Sequence, residues 1–300
     1  MTFEAYSPAH ITGFFEICDE NPDTLHVGSR GAGVSIERGV LTCVKVGRTT
    51  ANHCEIRING RRVEQAPVSD AVVKRYLELA GHQPSIQVDH LVNVPIGAGF
   101  GSSGAAALSL SLSLNKALEV GLSTLEAAQI AHEVEVECKT GLGTVIAELE
   151  GGFEIRTEPG APGVGRVERI PLNGGYRVVC LSLSGISTKT TLTDGEARDR
   201  INSKGRAMVD QLVRTPSIHN FLRLSNRFTL KIDFMTGKLR RYISKLTREG
   251  YTAGMMMIGE GLFTMVRENE VRDVVNIFNS NGDRGFLAVS KIDMEGAHLL

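Results

Sequence analysis

No segment of the chain approaches the roughly 18 consecutive apolar residues that a membrane-spanning helix requires. Its start, Met1-Thr2-Phe3-Glu4-Ala5-Tyr6-Ser7-Pro8, lacks the basic stretch and apolar core of a secretory signal. A cytoplasmic protein with no membrane partner is expected. An excess of one charge is also missing: Lys+Arg number 33 against 34 Asp+Glu, a formal net charge of -1. Without a basic stripe to meet a phosphodiester backbone, nucleic acid is not an expected partner. Cysteine is sparse. Cys18, Cys43, Cys54, Cys138 and Cys180 stand far apart with no C-x-x-C pair, which argues against a structural zinc and against a disulfide framework. Most are read as small buried hydrophobes. Internal repeats and low-complexity tracts are lacking as well.

What the chain has is glycine, 33 of 300 residues, gathered in a few stretches of a sequence that is 42% hydrophobic. Val34 and Ile36, then Arg38-Gly39, then the apolar run from Val40 to Val46 suggest paired strands. Glu55 to Ile58, Asn59-Gly60 and Arg61 to Glu64 predict a hairpin, because Asn-Gly accepts the positive φ of a type I′ turn. Ser69 or Asp70 is expected to cap a helix through Val73, Tyr76, Leu77 and Ala80, with Gly81 past its end. Ile86, Val88, His90, Val92 and Val94 then alternate along a strand that Pro95 stops. From Gly104 to Leu122 the Ser/Leu alternation suits a strand, but alanine and leucine content and length favour a helix. Ser123 to Glu126 has the capping-box pattern and opens a second helix, with Ala128, Ala131, Val134 and Cys138 on its apolar face, ending near Thr140-Gly141.

Beyond the Gly/Pro-rich stretch Pro159 to Gly163, a strand is expected from Tyr176 to Leu183. Helices are expected over Glu196 to Val213, Ser217 to Leu230 and Thr236 to Arg248. Strands at Met255 to Ile258 and Leu262 to Val266, a helix from Val271 to Phe278 and a strand from Phe286 to Ile292 complete the chain. Strands interspersed with helices without a strict βαβ period predict an α+β fold. Two domains are expected, 1–165 and 166–300.

The segment richest in chemistry is Pro95-Ile96-Gly97-Ala98-Gly99-Phe100-Gly101-Ser102-Ser103-Gly104-Ala105-Ala106, between a predicted strand and a predicted helix. Its glycines let successive amides point inward and the helix adds its positive end, which makes an anion cradle. Ser102 and Ser103 are placed to offer hydroxyls to a phosphate oxygen or a magnesium ion. A plain tight turn is the simpler alternative. A dinucleotide fingerprint fits poorly, since it expects a βαβ unit and an acidic residue about twenty positions on at a strand end, whereas Glu119 falls in a predicted helix. There is no Walker A lysine, because Gly104 follows Ser103.

This segment resembles the phosphate-binding signature of the GHMP kinases, small-molecule kinases named for galactokinase, homoserine, mevalonate and phosphomevalonate kinases. Ser7-Pro8-Ala9-His10-Ile11-Thr12-Gly13 resembles the first motif of that family, and Gly254 to Gly261 a modified third motif. Within the family, Ser7 to Phe15, Thr140-Gly141-Leu142-Gly143-Thr144-Val145 and Pro159 to Gly163 are most similar to the archaeal branch that phosphorylates pantoate on the route to coenzyme A. The resemblance implies a two-lobed α+β fold. In it, 1–165 would be the nucleotide-binding lobe and 166–300 a smaller lobe completing the substrate cleft. ATP would lie on Pro95, Gly97, Ala98, Gly99, Gly101, Ser102, Ser103 and Gly104.

It also implies a magnesium-binding glutamate on the Ala131-His132-Glu133-Val134-Glu135 helix. Spacing favours Glu135, with Glu133 and Glu137 nearby, so Ser103 and Glu135 are the expected catalytic and Mg²⁺-holding pair. His132, three residues earlier, can face the same cleft and donate to substrate, or can be a histidine occupied by backbone. Arg156 is the candidate carboxylate clamp, since guanidinium donates in paired, planar fashion. Ser29 and Thr188 are candidate hydroxyl ligands. Many GHMP kinases have a basic aspartate where this chain reads Gly143-Thr144, so no general base is visible. A loose phosphoryl-transfer transition state asks mainly for positioning and charge neutralisation. Homoserine or a mevalonate-type acceptor, and a non-catalytic nucleotide-binding regulator, are the alternative readings. A monomer and a homodimer both remain open.

Overall fold

The computed structural model describes residues 2–47, 54–185, 194–280 and 282–300. In chain order the elements are β1 (Thr2–Cys18), β2 (Gly28–Val46), β3 (Cys54–Ile58), β4 (Arg61–Arg62), α1 (Pro67–Ala80), β5 (Ile86–Val92), α2 (Ser102–Ala117), α3 (Thr124–Cys138), α4 (Thr144–Glu150), β6 (Phe153–Glu158) and β7 (Arg166–Arg169). They continue as β8 (Tyr176–Gly185), α5 (Gly195–Arg214), α6 (Ile218–Lys231), α7 (Gly237–Arg248), β9 (Gly254–Met255), β10 (Gly259–Arg267), α8 (Val271–Asn279), β11 (Phe286–Ser290) and β12 (His298–Leu299). The α+β class expected from the sequence holds. No helix among the described residues is long and apolar enough to cross a membrane.

One sheet has the order β12-β1-β2-β5-β3-β4, with β6 also on β2 and β7 on β6; the other has the order β11-β8-β10-β9. β1 and β2 pair antiparallel from Thr2 opposite Lys45 to Cys18 opposite Gly28. The sequence suggested two strands meeting at Arg38-Gly39, but β2 is one strand of 19 residues. A register shift between Pro8 and Ala9 bends the ladder there. Gly39 lies so close to Ser7 and Pro8 of β1 that a side chain would overlap their backbone. The bend divides the work of β2, whose residues Val40–Val46 pair with β5 while Gly31–Val34 pair with β6.

The Asn59-Gly60 turn forms as expected, with φ of +50° and +77°. α1 begins earlier than its predicted cap, because Pro67 occupies the first turn, where its missing N–H costs nothing. The ambiguous Ser/Leu stretch is a helix buried all round. Leu108, Leu110 and Leu114 and Ser109, Ser111 and Ser113 are all fully buried. The hydroxyls are satisfied by the carbonyls of Ala105 (2.7 Å), Ala127 (2.5 Å) and Thr42 (3.3 Å). The predicted strand Met255 to Ile258 is only the short β9, and of the five cysteines only Cys180 is buried. Cys18, Cys43 and Cys138 are half-buried and Cys54 is exposed.

The larger apolar core takes Phe14 and Phe15 from β1 and Phe221 and Phe228 from α6. Phe14 stands 5.9 Å from Phe221 and 6.3 Å from Phe228, ring to ring. A second core lies between α1, α2 and α3. β1 is also tied to α5 through buried Glu16, which accepts from Arg30 (3.2 Å) and Arg206 (2.7 Å). Gly205 of α5 sits directly on the carbonyl of Phe15, backbone against backbone. Gly205→Ala is expected to destabilise the fold by about 1–3 kcal/mol, the usual cost of forcing volume into a packed contact. A urea midpoint that is lowered with an unchanged slope would report it; an unchanged midpoint would mean α5 is free to lift.

Candidate active site

The Gly-rich loop joins β5 to α2. Gly97, Gly99 and Gly101 adopt φ of +72°, +84° and +66°, the left-handed region that side-chain-bearing residues avoid. No side chain caps α2, so none competes for its first-turn amides. A Cβ on Gly101 would stand 2.5 Å from Thr144 Cγ2 and 2.6 Å from Glu148 Oε1, so the loop lies flush on α4. The three segments singled out in the sequence meet here. The His10 N–H donates to the Phe100 carbonyl (3.0 Å) and the Met257 N–H to the Thr12 carbonyl (3.1 Å). Gly259 rests on the backbone of Ala98 and Gly99.

Together they enclose a cavity of about 310 Å³. Of the residues expected on the nucleotide, Gly97, Gly99, Gly101, Ser102 and Ser103 line it, while Pro95, Ala98 and Gly104 do not. Ala98 is buried against Gly259, and Gly104 packs on the Glu148 carboxyl. The Ser103 hydroxyl donates to Glu135 Oε2 at 3.2 Å, and Thr140 donates to Glu135 Oε1 at 2.6 Å. Burial pushes the Glu135 carboxyl up to about 7 against the pull of these two hydroxyls. A desolvated carboxylate with one serine hydroxyl beside it, at the mouth of an anion-binding loop, suits a hard cation that keeps waters and phosphate oxygens as its other ligands.

Ser29 and Arg156 are brought together on the far wall, both beside Gly143. Arg156 is 1% exposed, and its Nε has no hydrogen-bond partner among the described residues. A buried guanidinium edge left open in this way is a ready carboxylate site. His132 is not brought to the cavity. Its Nε2 is committed to the carbonyls of Val27 (3.0 Å) and Thr24 (3.2 Å), and burial keeps the ring neutral. The expected substrate donor therefore holds the turn that leads into Ser29. Thr188 lies outside the described residues.

Sequence reasoning missed His10, Thr12 and Glu154. Glu154 of β6 accepts at Oε1 from His10 Nε2 (2.9 Å) and from Arg156 Nη1 (2.6 Å). His10 reaches it across β2 only because Gly33 lies between; a Cβ there would overlap the ring. Gly31, two residues away on the same face, leaves room for the Arg156 guanidinium in the same way. The alternating glycines of Gly31-Ala32-Gly33 were the available signal.

Residues 68–152 match the GHMP kinases N terminal domain. The chain is 35% identical over 280 residues to a pantoate kinase of Thermococcus kodakarensis, covering 90% of this chain and 89% of that protein. It is 32% identical to a pantoate kinase of Methanocaldococcus jannaschii, covering 92% and 97%. A solved structure described as a phosphotransferase related to the CoA biosynthesis pathway superposes over 100% of this chain and 99% of that one, with a TM-score of 0.91 and 30% identity. Fold and loop thus define an ATP-dependent small-molecule kinase of the GHMP type. Within that class the chain belongs to the pantoate kinase family.

One buried acid has no partner to explain it. Glu148, fully buried on α4, makes no hydrogen bond to a described residue at either oxygen. Burial, with Glu135 nearby, raises its proton affinity well above that of an ordinary carboxyl. The native state then holds this proton more firmly than the unfolded chain. Its contribution is full below the unfolded value near 4.5 and is lost as pH rises above it. Glu148→Gln should therefore raise the Tm more at pH 8 than at pH 5 in calorimetric scans. An equal change at both pH values would show that the carboxyl is ionised in the fold.

Proposed function

We propose that the protein transfers the terminal phosphoryl group of ATP to the hydroxyl of pantoate, forming 4-phosphopantoate for coenzyme A synthesis. The observation that carries this reading is the convergence on one cavity of an anion loop, a Ser103 hydroxyl bonded to the Glu135 carboxyl behind it, and the open Nε of Arg156. The loop amides from Gly97 to Ser103 would hold the triphosphate. Ser103 and Glu135 would hold Mg²⁺, which when bound supplies positive charge between the outer phosphates. Arg156 would take the pantoate carboxylate and Ser29 a hydroxyl. Phe15, Leu142 and Met257 offer apolar wall to the two methyl groups of this branched acid.

His132 positions Ser29 rather than touching substrate, and Thr188 stays a proposed ligand. We keep the division into a nucleotide lobe, 1–165, and a lobe completing the cleft, 166–300, as part of the same proposal. The pantoate kinases at 35% and 32% identity favour this acceptor over homoserine or mevalonate.

A coupled ADP-release assay with pantoate, homoserine and mevalonate is the direct test. Pantoate is expected to give the highest kcat/KM; preference for another acceptor would overturn the substrate, and nucleotide binding with no turnover on any would favour a regulator. Glu135→Gln is expected to lower kcat by roughly 100-fold or more while the far-ultraviolet spectrum is kept, since the charge it removes faces the transferring group. An unchanged rate would take Glu135 out of the site.

A further inference from the structure

None of the described residues that line the cavity is an aspartate or a glutamate, and position 144 is a threonine. Thr144 has no acid to lend, and Glu148 behind it does not line the cavity. A different proton path runs through β1 and β6. The Glu154 carboxylate, paired with Arg156 at 2.6 Å, can only accept, so His10 Nε2 at 2.9 Å carries the hydrogen and donates it to Oε1, a contact shorter than the 3.5 Å to Arg156 Nη1. The other ring nitrogen, Nδ1, is then an acceptor. It faces the Thr12 hydroxyl at 3.3 Å, and both His10 and Thr12 line the cavity. His10 is also bonded through its backbone to Phe100 of the phosphate loop, so this path and the triphosphate site share one rigid strand.

We infer that Thr12, His10 and Glu154 form a proton relay for the phosphoryl acceptor, Thr12 touching the substrate and His10 acting through it. This rests on the kinase reading above. The acceptor hydroxyl oxygen bonds to the γ-phosphorus while the P–O bond to the β-phosphate breaks, and that electron pair leaves with ADP. The hydroxyl proton passes to Thr12 Oγ1, whose own proton moves to His10 Nδ1. Glu154 holds the resulting imidazolium until product departs and the proton passes to water. Burial opposes the charged ring and the Glu154 carboxylate favours it, burial prevailing, so the resting ring is neutral and ready to accept. Glu154 and Arg156 are the charged groups that face it.

The test compares Thr12→Val, which removes the hydroxyl at constant shape, with His10→Gln, which keeps an N–H for Glu154 but cannot take a proton. Each is expected to lower kcat by roughly 10²–10⁴-fold, with KM for ATP changed only a few-fold. His10→Gln should also erase the acid limb of the kcat–pH profile. The double variant should be no slower than the slower single, as for groups that act as one unit. Thr12→Ser, which restores the hydroxyl, should recover most of the rate and guards against a loss that is only misfolding. Turnover of either single variant within about threefold of wild type, additive losses, or an unchanged acid limb would overturn the relay. Nitrogen NMR of the imidazole without substrate reads the same arrangement independently of the acceptor. Nδ1 should be unprotonated near neutral pH and should shift in Thr12→Val; a protonated Nδ1 would overturn the relay. Wild-type protein inactive on every acceptor, with the ring as described, would instead overturn the functional reading alone.

Discussion

The antiparallel ladder between β1 and β2 is the constraint from which the site follows. Because β1 runs beside β2 for its whole length, residues distant in sequence are fixed at set heights along one surface: His10 opposite Ser35, Thr12 opposite Gly33, Ile17 opposite Ser29. β6 then joins the other edge of β2 with Glu154 opposite Gly33 and Arg156 opposite Gly31. With period two along a strand, Gly31 and Gly33 open a gap on a single face. Through that gap side chains from β1 and β6 touch across the strand that separates them. A one-residue slip in either ladder would turn His10, Glu154 and Arg156 to opposite faces. Register and chemistry are therefore the same constraint.

Placing so many ionisable groups in this wall costs stability. Glu135, Glu148, Glu154 and Arg156 are all within 2% of complete burial. Glu154 and Arg156 offset each other at 2.6 Å, an arrangement worth keeping because breaking one partner leaves an uncompensated charge. Glu135 has hydroxyl partners only, and Glu148 has none among the described residues. A protein selected for stability alone would replace such groups with apolar ones. Their presence beside the Gly-rich loop marks a place where stability has been given up for chemistry.

Much of this was legible in the sequence, and the parts that were not share a cause. Local signals worked where the chain's own neighbours decide the outcome: the Asn59-Gly60 turn, the Ser123–Glu126 cap and the helices capped by Ser217 and Thr236 all formed as expected. The loop from Gly97 to Ser103 was readable because its glycines encode backbone geometry directly. Failures came where distant packing decides. β1 was not anticipated as a strand, because its Pro8 and Gly13 disguise it and its stability comes from β2 and the aromatic residues of α6. His132 had helical spacing from Glu135, yet carbonyls more than a hundred residues away claim its ring. His10 and Thr12 stood inside a motif that was noticed, but their chemistry appears only once Glu154 is brought across from β6.

The neutral residue at position 144, a threonine, can be understood in the same terms. α4 presses Thr144 and Glu148 against Gly101 and Gly104, where the phosphate loop has no side chain to yield. An ionised group at 144 would add negative charge between Glu135 and Glu148, two carboxyls whose proton affinities burial already raises. A neutral residue there relieves that repulsion. A proton acceptor is then better placed beside Glu154, whose carboxylate favours a charged His10 ring while Arg156 opposes it. The position of the buried Glu154 carboxylate, held by Arg156, thus decides which ring can carry a proton.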